Sequence, residues 1–343
     1  ELRPVRLWGM RKAILGAGGT QLLASAALIG GGAWLVGVPS TGAAVLGFAL
    51  AMSSTAFVLQ VLEEKGELTT RHGRTAFSIL LLQDLAAIPL LAIVPLLGAR
   101  AAASGMDAWL AIGRAVLIIG GVIIIGRWLL GKLYHLVAKS GVREAMTASA
   151  LLTVVGVALL MQLAGLSAAL GAFIAGALLA DSEYRHQIEA DIAPFETLLL
   201  GLFFTAIGMS LNLPLLFAKW PLVLAIVAAL VAAKAIVLFA VGRLQSLDVA
   251  ASRRLAIFMS QGGEFAFVVL ALAVAAAIID KGLSDLLTVV VTLSMVATPL
   301  LLTLDDMLFK PAIPAAKEFD KLPEAQAHVV IAGFGRVGQV VAR

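Results

Sequence analysis

The chain reads as a succession of long apolar runs divided by short polar ones. A helix crossing a ~30 Å hydrocarbon core needs roughly 17–25 apolar residues. Ten such runs are legible, at about 13–37, 41–62, 75–98, 109–134, 144–164, 167–180, 193–211, 220–242, 254–279 and 284–304. The sixth is short, and the second, third and ninth carry polar residues at their centres. Spans of that kind belong inside a bundle, because polar groups turned to lipid find no partner. The pattern predicts an all-α polytopic membrane domain over residues 1–309 and, from the prolines and charges that follow, a linker over 310–327. Residues 328–343, HVVIAGFGRVGQVVAR, then read as a buried strand running through Gly333, Gly335 and Gly338 into a helix, the first strand and glycine finger of a Rossmann-like nucleotide-binding domain.

Composition narrows the class. Of 343 residues 61% are hydrophobic and only 13% charged, against about 25% charged in soluble domains. Lipid is therefore the solvent for most of the chain. Cysteine is absent, which excludes disulfides, thiol catalysis and thiolate metal sites. The four histidines, His72, His135, His186 and His328, fall in loops or at span ends with no ligand spacing between them. A net charge of +4 does not point to nucleic acid, since the basic residues flank apolar runs and form no groove. Arg3, Arg6, Arg11 and Lys12, then Lys65, Arg71 and Arg74, then Arg127, Lys132, Lys139 and Arg143, then Arg185, then Arg243, Arg253 and Arg254, then Lys310, Lys317 and Lys321 alternate with loops holding only Arg100, Lys219 and Lys281, with Arg114 just inside the fourth span. The positive-inside bias places both chain ends in the cytoplasm.

With flanking charges set aside, three charged residues remain inside spans: Asp84 beside Gln83, Lys234, and Glu264. An uncompensated charge at mid-bilayer costs about 2.5–3.5 kcal/mol on insertion scales, so three of them predict a polar cavity. Two stretches are built to interrupt helices: Met52-Ser53-Ser54-Thr55 in the second span and Ser260-Gln261-Gly262-Gly263-Glu264 in the ninth. The first precedes the Asp84 span and the second follows the Lys234 span. Paired interruptions in two halves of a chain mark the midplane site of an inverted-repeat transporter, where unwound carbonyls face a cation. The bland alternatives are an inert Asp84–Lys234 ion pair and small-residue packing between helices. On the transport reading, ionised Asp84 with the hydroxyls of Ser53, Ser54 or Thr55 holds a monovalent cation, and a proton competes for the same carboxylate. A ligand-gated channel is the alternative from another class, although no TVGYG-type filter is present. A membrane oxidoreductase lacks any intramembrane histidine or cysteine to hold a redox centre.

These stretches resemble the bacterial glutathione-gated potassium efflux antiporters, the Kef family of the second cation:proton antiporter group. The resemblance rests on AMSSTAFVLQVL (51–62), GRTAFSILLLQDLAAIPLLAIVPLL (73–97), SGVREAMTASALL (140–152), GAFIAGALLADSEYRHQIEADIAPF (171–195), GLFFTAIGMS (201–210), QGGEFAFVV (261–269) and VVIAGFGRVGQ (329–339), in the family's order over almost the whole chain. It implies a secondary transporter rather than an enzyme, exchanging K⁺ for protons at Asp84, with Gln83 as the aspartate's neighbour and Lys234 in the helix before the second break. A sodium/proton antiporter is the nearest alternative. It further implies that Glu189 and Asp191 lie in an acidic cytoplasmic loop that gates transport, and that Gly333, Gly335 and Gly338 cradle a nucleotide phosphate. The chain is then a fragment lacking N-terminal helices and most of the nucleotide-binding domain. Nucleotide (AMP or NAD(H)) and glutathione are expected only of the full-length protein. The expected setting is a bacterial inner membrane, as a homodimer in contact with lipid and with an ancillary regulatory subunit.

Overall fold

The structure, a computed structural model, describes residues 14–98 and 105–309. The chain divides into two compact units, residues 1–304 and 305–343. Among the described residues the first holds the helices up to Leu304, and of the second only residues 305–309 are described. The linker over 310–327 and Gly333, Gly335 and Gly338 lie outside the described residues.

Among the described residues the secondary structure is helical throughout, with no strand. A π turn at Ile14–Gly18 enters α1 (Gly19–Leu35). Then come α2 (Ser40–Ala51), α3 (Thr55–Glu64), α4 (Arg71–Leu97), α5 (Gly105–Ser140), α6 (Arg143–Leu163) and α7 (Ala168–Ala180). The chain continues through α8 (Arg185–Ser210), the short α9 (Leu213–Ala218), α10 (Trp220–Leu244), α11 (Val249–Met259), α12 (Phe265–Ala275) and α13 (Lys281–Leu308). Helix occupies all ten predicted positions. Among the described residues eight segments are long and apolar enough to cross a membrane, Ser40–Glu64 among them despite its interruption. The other two positions are α7, with 13 residues, and the pair α11 and α12, with 11 residues each.

Polar side chains set the helix starts. Thr70 accepts from Gly73 N ahead of α4, Ser167 from Leu170 N ahead of α7, and Asp248 from Ala251 N ahead of α11, each satisfying an amide that has no partner within the helix. Packing then relies on close backbone approach, since lipid tails are as apolar as leucine and burial among helices gains little from dehydration. A Cβ on Gly47 would lie 2.4 Å from Ala26 O, and one on Gly30 2.8 Å from Ala43 O, so α1 and α2 touch backbone to backbone. The central core joins α2, α4, α10, α12 and α13 through Leu50, Leu91, Val227, Leu270 and Val290. Outward-facing Leu117, Ile124, Leu163 and Leu300 are exposed, as side chains that meet lipid must be.

One predicted element is corrected. Glu189 and Asp191 are not in a loop; they sit in the first two turns of α8, which starts at Arg185. Ile188 and Ile192, one turn apart, pack against Tyr134, Met146 and Leu179. That apolar anchor draws the acidic stretch into the helix, leaving Glu189 exposed and burying Asp191.

Candidate functional site

Both predicted interruptions are present, and they cross. Helix α2 ends at Met52, whose backbone is extended (φ −69°, ψ 146°), and Ser54 caps α3 by accepting from Phe57 N at 3.3 Å. Residues 260–264 form the second interruption, between α11 and α12. Where the two meet, a Cβ on Gly263 would stand 2.7 Å from both the carbonyl carbon and the oxygen of Ser53. Only glycine allows that approach. Ser53 Oγ donates to Met259 O at 2.7 Å, a second link between the breaks. From behind, α13 supports the crossing: Gly262 N donates to Ser294 Oγ at 3.0 Å, and Thr298 Oγ1 donates to Gln261 Oε1 at 3.5 Å.

Lys234, on α10 and fully buried, supplies the charge at the crossing. Its Nζ donates to Met52 O at 2.7 Å, Gln261 O at 2.6 Å and Ser53 Oγ at 3.0 Å. Met52 caps the C-terminus of α2, and Gln261 lies just beyond that of α11. Helix C-termini carry partial negative charge and carbonyls without partners, so one ammonium satisfies both ends. Its three donors are thereby occupied, and the inert Asp84–Lys234 pair is not formed.

Asp84 lies at the middle of α4, half-buried. Its Oδ1 accepts from Thr55 Oγ1 at 2.9 Å. Thr55 is the first residue of α3, so the carboxylate faces the positive end of that half-helix. Glu264 stands immediately before α12, within electrostatic range of Asp84. Cation on the C-terminal ends and carboxylates by the N-terminal ends complement the four half-helix dipoles.

The predicted site residues divide accordingly. Asp84 and Thr55 meet. Ser53 is committed to Lys234 and Met259 O, and Ser54 to its cap, so of the three hydroxyls named as cation ligands only Thr55 reaches the aspartate. Gln83 points away from Asp84. Its Oε1 accepts from Ser53 N at 2.8 Å, and its Nε2 donates to Gln21 Oε1 at 2.6 Å. Gln21 in turn donates to Ala51 O at 3.1 Å. Sequence reasoning missed Gln21, whose signal was a lone amide within the first apolar run. It also missed Ser294 and Thr298, an i, i+4 pair on one face of α13.

A second cluster lies beyond the span ends. Glu67, in the turn between α3 and α4, accepts from His72 Nε2 at 2.7 Å and from Arg254 Nε at 3.1 Å, with a further contact to the same guanidinium. His72 stacks on Phe258, and Arg254 lies over the same ring. Burial pushes the Glu67 carboxyl up. Hydrogen bonds from His72 and Arg254, with the charge of Arg254, outweigh it and hold the pKa at about 2, below the ordinary 4.5.

Two crossed interruptions with paired charges of opposite sign at their ends define a membrane transporter core. Residues 1–304 match the model for the transmembrane sodium/hydrogen exchanger family, and the chain belongs to that family. Among solved structures the chain is similar to the sodium proton antiporter MjNhaP1 from Methanocaldococcus jannaschii at pH 8. The TM-score is 0.59 at 16% identity, over 90% of this chain and 80% of that one; the likeness is one of fold. Family and fold are those of a multi-pass membrane transporter.

Proposed function

We propose that the chain exchanges a monovalent cation for a proton at Asp84, exposing the crossing of the two breaks to one side of the membrane at a time. The observation that carries this reading is a half-buried carboxylate at mid-span, beside an unwound segment and hydrogen-bonded by Thr55, while the neighbouring lysine is held by other acceptors. The ionised carboxylate, the Thr55 hydroxyl and water take a partly dehydrated cation. Loss of the cation leaves the carboxylate free to take a proton, and the protonated site returns. Asp84→Asn removes the titrating group and is expected to abolish cation-dependent proton flux in proteoliposomes; flux at the wild-type rate defeats the proposal.

Potassium is the cation we assign, with efflux as its direction. The Gln-Asp pair at 83–84 and the QGGEF stretch at 261–265 support this through the resemblance to potassium efflux antiporters. Sodium is favoured by the family to which the chain belongs. Flux driven by K⁺, Na⁺ and Rb⁺ gradients, with a potential-sensitive dye in the same vesicles, separates the two and tests for electroneutrality. The alternation of basic loops further supports a cytoplasmic position for residues 65–74 and 243–254.

A further inference from the structure

The mechanism above uses one carboxylate, yet the crossing holds two. Glu264 Oε2 is buried and has no hydrogen-bond partner among the described residues. Glu264 precedes α12 without capping it, since its side chain accepts from no amide of the first turn. In the same break Gln261, fully buried, has its Nε2 unpartnered as well. Native structures rarely leave buried polar atoms unsatisfied unless a ligand, ion or water completes them. Lys234 does not supply the missing partner, being taken up by two carbonyls and a hydroxyl.

Position adds a second argument. A Cβ on Gly263 would fall 2.7 Å from the Ser53 carbonyl and 3.1 Å from Ser54 N, which sets Glu264 next to the stretch where Thr55 meets Asp84. Asp84 lies on α4, Glu264 immediately precedes α12, and these two helices pack against each other, so the carboxylates are close enough to interact electrostatically. Two neighbouring acids repel unless something positive lies between them.

We propose that Glu264 is a second ligand of the transported cation, so that the ion binds between Asp84 on α4 and Glu264 at the end of the second break. This inference rests on the exchange reading of Asp84. Water completes the hard oxygen shell, and Thr55 orients Asp84 within it. When the cation leaves, one proton takes its place on the pair, so one charge is exchanged for one.

The test is the cation dependence of proton flux in proteoliposomes of the full chain, read with K⁺ and separately with Na⁺. Glu264→Gln keeps the shape and removes the charge. It is expected to raise the apparent KM at least about tenfold with kcat changed far less, the pattern of a lost binding contact. Glu264→Asp, which restores the charge, is expected to recover part of the loss. An unchanged KM in Glu264→Gln overturns the proposal and leaves Glu264 a structural acid at the start of α12. Should that variant not fold, Glu264→Ala, which also removes the carboxylate, is read in its place, and an unchanged KM there overturns the proposal equally. Asp84→Asn is run in parallel: if it still exchanges cation for proton, the functional reading itself fails, whatever Glu264 does.

Discussion

Gly263 rests against the peptide of Ser53 so closely that a methyl group on Gly263 would stand 2.7 Å from the Ser53 carbonyl oxygen. Both partners are backbone, and neither can rotate aside. Gly263→Ala must therefore push the two breaks apart, costing about 1–3 kcal/mol by overpacking and displacing the acceptors of Lys234. A lower melting temperature in detergent and a severe loss of flux are expected. Gly176→Ala is the control, because nothing lies within 4 Å of its Cβ position. Equal melting temperatures for the two variants would show that the contact carries no weight.

Lys234 offers a different test, because two accounts of it diverge. As a counter-charge for two helix ends, its loss strands Met52 O and Gln261 O. Each buried carbonyl left without a donor costs about 1–3 kcal/mol. Lys234→Met should accordingly melt many degrees lower and lose transport in proportion. A variant as stable as wild type, but inactive, would instead make the lysine a participant in ion exchange.

The cluster around Glu67 predicts a pH dependence. A carboxyl held at about 2 in the folded chain, against 4.5 ordinarily, binds fewer protons folded than unfolded between those values. Its stabilisation is complete above about pH 4.5 and is lost as the pH falls towards 2. Glu67→Gln should be less stable than wild type at neutral pH, and the gap in melting temperature should close between those limits. A constant gap from pH 7 to pH 3 contradicts the assignment.

Much of this arrangement was open to reading in one dimension. Hydropathy located all ten helical positions, because a helix whose surroundings are lipid must advertise its length in apolar residues. The breaks were legible for the complementary reason: Ser53-Ser54 and Gly262-Gly263 are poor continuations of a helix where no water can mend a broken hydrogen bond. Partnerships were harder. The pattern placed Lys234 and Asp84 in one membrane but could not say that the lysine turns to Met52 and Gln261, since its acceptors are main-chain carbonyls with no side-chain signature. The resemblance set Gln83 at the ion site as the neighbour of Asp84, although successive residues of a helix point about 100° apart. Its amide instead ties Gln21 to the Ser53 peptide. Glu189 and Asp191 were assigned to a loop by the resemblance, whereas the pair of isoleucines beside them winds them into α8.

The link from Glu67 to Arg254 has a mechanical corollary. It joins the turn after α3 to α11, at a different level from the contact of Ser53 with Gly263 and Met259. Two rods pinned at one point can scissor; pinned at two, they turn together. The interrupted helices are thus held together at two levels, so that any displacement of one is shared by the other.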